Sequence, residues 1–183
     1  MSNKLRIIGG EWRSRVITFD DAPGLRPTPS RVRETLFNWL QADVAGSRCL
    51  DLFAGSGALG FEAASRGAKR AVLVENNPKT CQKLKENIAT LATDRVEVVQ
   101  SDVQQFLCHC SDTFDLIFLD PPFAQGLVTS ICQQIAEAGL LASYGKIYIE
   151  TERNLKLDGL PAGWKLLKHK IAGDVGYNLY QRQ

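Results

Sequence analysis

Four carboxylates, Asp51, Glu75, Asp102 and Asp120, are spaced along this chain so that each follows a short apolar run. The last opens the group Asp120-Pro121-Pro122-Phe123, directly after Phe114 to Leu119. That run reads as a buried strand, so the group sits at a strand's C-terminal end. Its residue types suit one kind of ligand. A carboxylate accepts an N–H, and the Pro121 carbonyl, in a chain stiffened by proline and short of donors, accepts a second. The ring of Phe123 offers a flat face. Two acceptors beside a stacking surface match an exocyclic amine on a nucleobase. An acidic turn after a buried strand is the plain alternative for these four residues taken alone.

The second group is a glycine loop. Cys49 to Phe53 is another apolar strand, followed by Ala54-Gly55-Ser56-Gly57-Ala58-Leu59-Gly60 and a helix expected over 61–66. Glycines at 55, 57 and 60 give a G-x-G-x-x-G pattern, which serves a tight turn and close approach of a ligand to the backbone. Asp51, four residues before Gly55, is placed to meet a positive group. Glu75 closes the strand Ala71 to Val74, fifteen residues past Gly60, where an acid can hold both hydroxyls of a ribose. Asp102, after the strand Val96 to Gln100 and Ser101, can accept from an adenine amine. Ligands of open parallel sheets bind outside the carboxyl ends of the strands. Any one acid could be a turn residue; four at successive strand ends argue a site. The glycine loop alone also reads as the nucleotide site of a dehydrogenase, but that leaves Asp120 to Phe123 unexplained.

In these motifs and their order the chain resembles the class I S-adenosylmethionine-dependent methyltransferases. The resemblance implies that Gly55 and Gly57 carry the amino-acid part of S-adenosylmethionine, Glu75 the ribose and Asp102 the adenine, while Asp120 to Phe123 bind the amine to be methylated. A narrower likeness runs through nearly the whole chain. Arg6 to Arg15, Leu25 to Leu40, Asp51 to Gly60, Asp120 to Phe123 and Gly176 to Gln181 are similar to the RsmD family, bacterial enzymes that methylate the N2 amine of one guanine in 16S ribosomal RNA. That likeness implies a catalytic set of Asp120, Pro121, Pro122 and Phe123. The implied cofactor-binding set is Asp51, Phe53, Ala54, Gly55, Gly57, Glu75, Asn76, Ser101, Asp102 and Asp120. The implied partner is 16S rRNA, with the assembled small subunit as the expected substrate. The same platform also suits an adenine-N6 or cytosine-N4 methyltransferase acting on DNA, and an RNA-binding module with a vestigial cofactor site is the non-enzymatic alternative.

The elements that must hold these residues alternate. Strands and helices interchange from Arg48 to Ile149, with crossover helices expected over Pro78 to Leu91 and Gly126 to Leu140, which argues a parallel sheet. Trp164 to Ile171 and Gly176 to Arg182 read as a closing hairpin around Gly173-Asp174. The expected fold is α/β, a Rossmann-like class I methyltransferase with a seven-stranded, mostly parallel sheet; the strand count and a reversed last strand come from the family likeness. At the N-terminus, Lys4 to Ile8 and Trp12 to Phe19 read as strands around a Gly9-Gly10 turn. A helix starts near Thr28 or Ser30, with Val32, Leu36, Trp39 and Leu40 on its apolar face and Arg31, Arg33, Glu34 and Asn38 elsewhere. The expected organisation is a basic hairpin extension over 1–24 and a methyltransferase domain over 25–183.

Composition bounds the rest. The 183 residues are enough for one substantial core, and 44% hydrophobic content is ordinary for a globular protein. Net charge is only +2, but the first 33 residues hold seven basic side chains against three acidic ones, leaving −2 for the remaining 150. Six of the seven are Arg6, Arg13, Arg15, Arg26, Arg31 and Arg33. Arginine's planar fork suits phosphate, so these six are the candidate RNA contacts. No apolar stretch approaches the roughly 18 residues of a membrane span, and the N-terminus lacks the apolar core of a signal peptide. Five scattered cysteines imply no disulfide framework. Cys108-His109-Cys110 is too tight to wrap a tetrahedral metal. A cytoplasmic, metal-free monomer is expected.

Overall fold

The computed structural model describes residues 2–123 and 126–183. An antiparallel ribbon of β1 (Ser2–Arg6) and β2 (Val16–Asp20) precedes helix α1 (Ser30–Trp39). Strands and helices then alternate as β3 (Arg48–Asp51), α2 (Ala58–Ser65), β4 (Arg70–Glu75), α3 (Pro78–Leu91), β5 (Val96–Gln100), α4 (Val103–His109), β6 (Phe114–Leu119), α5 (Val128–Glu137) and β7 (Leu141–Glu152). The chain ends in the hairpin β8 (Trp164–Ala172) and β9 (Val175–Arg182). The large sheet has the order β5-β4-β3-β6-β7-β9-β8. Strands β3 to β7 pair in parallel, and β9 runs antiparallel to both neighbours. The fold is therefore the Rossmann-like class I methyltransferase architecture, with a reversed strand near one edge. From β3 the chain winds outward through β4 and β5, then returns to place β6 on the other side of β3. A crevice opens at such a reversal, outside the carboxyl ends of the strands.

Strand residues divide between two layers by the two-residue period of a strand. Cys49, Leu73, Leu116, Phe118 and Tyr148 face the layer of α1, α2, α3 and the ribbon. Leu50, Leu52, Val72, Ile117, Leu119 and Ile149 face α4 and α5. Both faces are covered, so the central strands read as apolar runs rather than alternating ones. Helix entry is set locally: the Asn77 side chain accepts from the amides of Lys79 and Thr80 at 2.9 and 3.2 Å, with Pro78 in the first turn. Asp102 caps α4 by accepting from Gln105 N at 3.0 Å.

The ribbon departs from the sequence expectation. The first strand lies two residues nearer the N-terminus and the second is shorter, and Gly9-Gly10 is no tight two-residue turn; residues 7–15 form a loop laid on the C-terminal end of α2. Glu11 N donates to Ser65 O at 2.7 Å and Trp12 N to Ser65 Oγ at 2.9 Å. Gly10 has φ +79°, and a Cβ there would sit 2.0 Å from the Ser65 carbonyl. The glycine serves a close approach between two backbones, a role that leaves the same sequence signature as a turn. Leu5, Ile7, Trp12, Ile17 and Phe19 are buried in the same cluster as Phe61 and Leu84, so the ribbon is continuous with the core of the sheet domain.

Candidate active site

Loops at the carboxyl ends of β3, β4, β5 and β6 converge on one cavity of about 780 Å³, within the range of small-molecule sites. Asp51, Glu75, Asp102 and Asp120 all line it, together with Phe53, Ala54, Gly55, Asn76, Ser101, Pro121, Pro122 and Phe123. Gly57 is not among the lining residues, although its neighbours Ser56 and Ala58 are. The segment 22–29, leading into α1, covers one side and contributes Leu25 and Arg26.

The glycine loop divides its labour. Gly55 (φ +51°) opens to the cavity; a Cβ there would meet nothing closer than the Leu25 side chain at 3.7 Å. Gly57 (φ +79°) is the N-cap of α2, and a Cβ would strike Phe61 and Leu84 at 2.6–2.7 Å. A Cβ on Gly60 would lie 2.5 Å from Leu73, so this glycine lets α2 press on β4. Glu75 braces the loop: one carboxylate oxygen accepts from Gly55 N at 3.1 Å, the other from Asn77 N at 2.9 Å. Its geometry is thereby fixed, and each oxygen keeps a further lone pair for a hydroxyl.

Asp51 is buried, and burial pushes its carboxyl up to about 7 against the pull of hydrogen bonds from the Gly60 and Phe53 amides. A cation brought beside it would favour the ionised form. Asp102 is exposed where it lines the cavity; one oxygen caps α4. Phe123 is 43% exposed, a large ring left beside the acidic platform.

A fifth carboxylate, not picked out from the sequence, completes the site. Glu150 of β7 lines the cavity and is buried. It hydrogen-bonds the Asp120 carboxyl and accepts from Tyr148 Oη at 2.8 Å. Burial first, then the neighbouring Glu150, push Asp120 well above the usual carboxylate range. Burial raises Glu150 as well, while its two hydrogen bonds oppose the rise. Two carboxyls in contact cannot both ionise without penalty, so the pair takes up its first proton more readily than an isolated carboxylate does. The available signal was one more acid near the C-terminal end of the next strand, in Ile147-Tyr148-Ile149-Glu150.

The six arginines separate. Arg6, Arg13, Arg15, Arg26 and Arg31 are exposed. Arg6 and Arg15 also hold backbone carbonyls, of Ser14 and Thr90, at 3.1 and 2.8 Å. Arg31 stands near enough to Tyr177 to oppose the upward push of burial on that phenol. Arg33 does not belong with them, and its reading as a candidate RNA contact is corrected. Its side chain is 2% exposed and paired with Glu62 of α2, which is fully buried. The helical period alone assigns a charged residue to the polar face; here a buried partner on another element overrides it. Among the described residues no group of His, Cys, Asp and Glu could hold a metal. Among them, too, no helix is long and apolar enough to cross a membrane.

Known proteins of the same kind are readily found. A family model described as "Conserved hypothetical protein 95" matches residues 5–181. The chain is 46% identical to Ribosomal RNA small subunit methyltransferase D of Escherichia coli (strain K12) over 182 residues, spanning 100% of this chain and 92% of that one. The solved structure of Escherichia coli yhhF superposes with a TM-score of 0.89 at 45% identity, covering 99% of each chain. A Thermus thermophilus 16S rRNA N2 G1207 methyltransferase, solved with AdoMet and guanosine, shares the fold at 24% identity and a TM-score of 0.76, over 100% of this chain and 50% of that one.

Proposed function

The chain belongs to the family described as conserved hypothetical protein 95, the RsmD family, and from that premise we propose that it methylates the exocyclic N2 amine of one guanine in 16S ribosomal RNA, with S-adenosylmethionine as donor. The observation that carries the reading is the convergence of five carboxylates and an exposed aromatic ring on one cavity. The residues fit the donor. Glu75 is fixed to take a ribose diol, and Asp102 stands on the wall where a base would lie. Buried Asp51 suits an ammonium group, and Gly55 leaves the loop backbone open to a ligand. When bound, S-adenosylmethionine supplies an electrophilic methyl group on a sulfonium.

The chain's own residues then have to present the amine. A guanine amine is a poor nucleophile because its lone pair is delocalised into the ring. Asp120 and the Pro121 carbonyl accept its two hydrogens and turn the lone pair toward the donor. Phe123 stacks on a base swung out of its surroundings. Positive charge developing on nitrogen meets acceptors already in place, so little reorganisation is needed at the moment of reaction.

The test is transfer of labelled methyl from S-adenosylmethionine to undermodified small ribosomal subunits, followed by nucleoside analysis. The expected product is a single N2-methylguanosine. Label in N6-methyladenosine, or no label from a protein that binds the donor, would overturn the assigned acceptor. The assembled subunit is the proposed substrate because a body this small, with a short basic arm, needs a preformed surface to supply part of its specificity. Equal rates on free rRNA and on subunits would end that part of the reading. The enzyme is proposed to act as a cytoplasmic monomer.

Exposed Arg13 on the ribbon loop and Arg31 on α1 are the cleanest probes of RNA binding, since neither forms a salt bridge among the described residues. Replacing both with alanine should weaken RNA binding about tenfold at physiological salt. The slope of log affinity against log salt should shrink by about one per lost phosphate contact. Donor affinity, measured by calorimetry, should not move. An unchanged RNA affinity would assign the arm a purely structural role.

A further inference from the structure

Asp120 does not act alone in this cavity. It is the first residue beyond β6, whose last pair with β7 is Leu119 opposite Ile149; the next position in register brings Glu150 beside it. Glu150 is 6% exposed and lines the cavity. It hydrogen-bonds Asp120 on one side and accepts from Tyr148 Oη at 2.8 Å on the other. A buried carboxylate held by two donors, next to the platform that receives the amine, has no packing role that an amide or a leucine would not fill at lower cost.

We propose that Glu150 is the proton-accepting partner of Asp120: as the guanine amine is methylated, Asp120 takes the amine's proton and shares it with Glu150. The inference rests on the methyl-transfer reading above. The atoms balance. The amine nitrogen forms its bond to the methyl carbon as the donor's carbon–sulfur bond breaks, and that bond's electron pair stays on sulfur. The nitrogen is left with a positive charge and one proton too many. Beside a positively charged donor the ionised form is favoured, so the carboxyl pair begins the step with two negative charges and ends it with one shared proton and one negative charge. Release of product then returns the extra proton to water.

The surroundings favour this assignment. Asp51 faces the pair from β3, Tyr148 from β7 and Tyr177 from β9, and none of them brings a positive charge against it. Arg31 of α1 lies beyond Tyr177, and Lys170 of β8 pairs in register with Tyr177. Burial and the two like charges give the pair a higher affinity for its first proton than an isolated surface carboxylate has, as an efficient acceptor near neutrality requires.

Glu150 is a positioning and relay residue, so the test reads the pH dependence of chemistry. Single-turnover methyl transfer to small subunits should fall on the acid side in the wild-type enzyme. In Glu150→Gln the neighbouring charge is gone, so Asp120 ionises more easily and the acid limb should move down by about one pH unit or more. Glu150→Asp keeps the charge and should leave the limb near its wild-type position. Donor affinity of both variants, within a few fold of wild type, shows that the fold is intact. In the donor-free protein, difference infrared spectroscopy should show a protonated-carboxyl band persisting at neutral pH. That band should weaken in Glu150→Gln, with Asp51 supplying the part that stays. Acid limbs that coincide in wild type and Glu150→Gln would overturn the proposal. A wild-type enzyme that methylates no guanine would instead overturn the functional reading on which it rests.

Discussion

Asp120→Ala should lower single-turnover methyl transfer by about 10²–10⁴-fold, the usual cost of removing a positioned acceptor or base, while donor affinity stays within a few fold. The expectation follows from what Asp120 touches. It meets Glu150, whereas Glu75 holds the glycine loop. The fold should not suffer. Burial and Glu150 raise the Asp120 carboxyl, so the folded protein holds a proton there that the unfolded chain has released. Stability from that group is therefore greatest at low pH and is lost as pH rises toward the folded-state value. At neutral pH Asp120 is a net burden on folding, and Asp120→Asn should be at least as stable as wild type in urea unfolding while still losing most activity. An alanine variant with near wild-type turnover would sink the assignment. An asparagine variant that unfolds more readily would contradict the described burial and pairing.

That burden helps to explain what could be read from sequence and what could not. The four acids at strand ends were legible because each belongs to a local pattern, an apolar run followed by an acid, and the glycine loop is likewise local. The alternation from β3 to β7 was legible because both faces of the sheet are covered and its central strands are largely apolar. Glu150 was not singled out because its meaning depends on Asp120, thirty residues earlier, through the register of β6 on β7. Arg33 was misplaced because a 3.6-residue period assigns faces without knowing that Glu62 waits on α2. Gly9-Gly10 was read as a turn because close approach and chain reversal draw on the same property of glycine. Each miss concerns a contact between elements far apart in sequence.

Glu62→Ala should cost about 3–5 kcal/mol of stability, the range for breaking a buried ion pair from one side, and lower the melting temperature by roughly 6–20 °C in a chain of this size. Glu62 is fully buried, and both of its oxygens are filled twice. One accepts from Gly9 N and Arg66 Nε, each at 2.9 Å; the other accepts from Ile8 N at 3.0 Å and Arg33 Nη1 at 3.3 Å. Truncation leaves two ribbon amides without partners and the Arg33 guanidinium buried without its counter-ion. Arg33 also donates to the Thr28 carbonyl at 3.1 Å and the Arg6 carbonyl at 3.1 Å, so the same knot fixes the segment that covers the donor cavity and the strand that carries Arg6. The loss should therefore reach function by two routes: weaker donor binding through the loosened cover, and weaker RNA binding through the misplaced arm. Arg33→Ala should unfold nearly as easily, and the double variant should cost much less than the sum of the two, because the pair acts as one unit. Additive losses in that cycle would show that Glu62 holds the ribbon and α1 independently. A loss below about 1 kcal/mol in Glu62→Ala, within the range of an exposed pair, would mean that the ribbon is held by its apolar contacts with α2 and α3 and that the carboxylate is incidental.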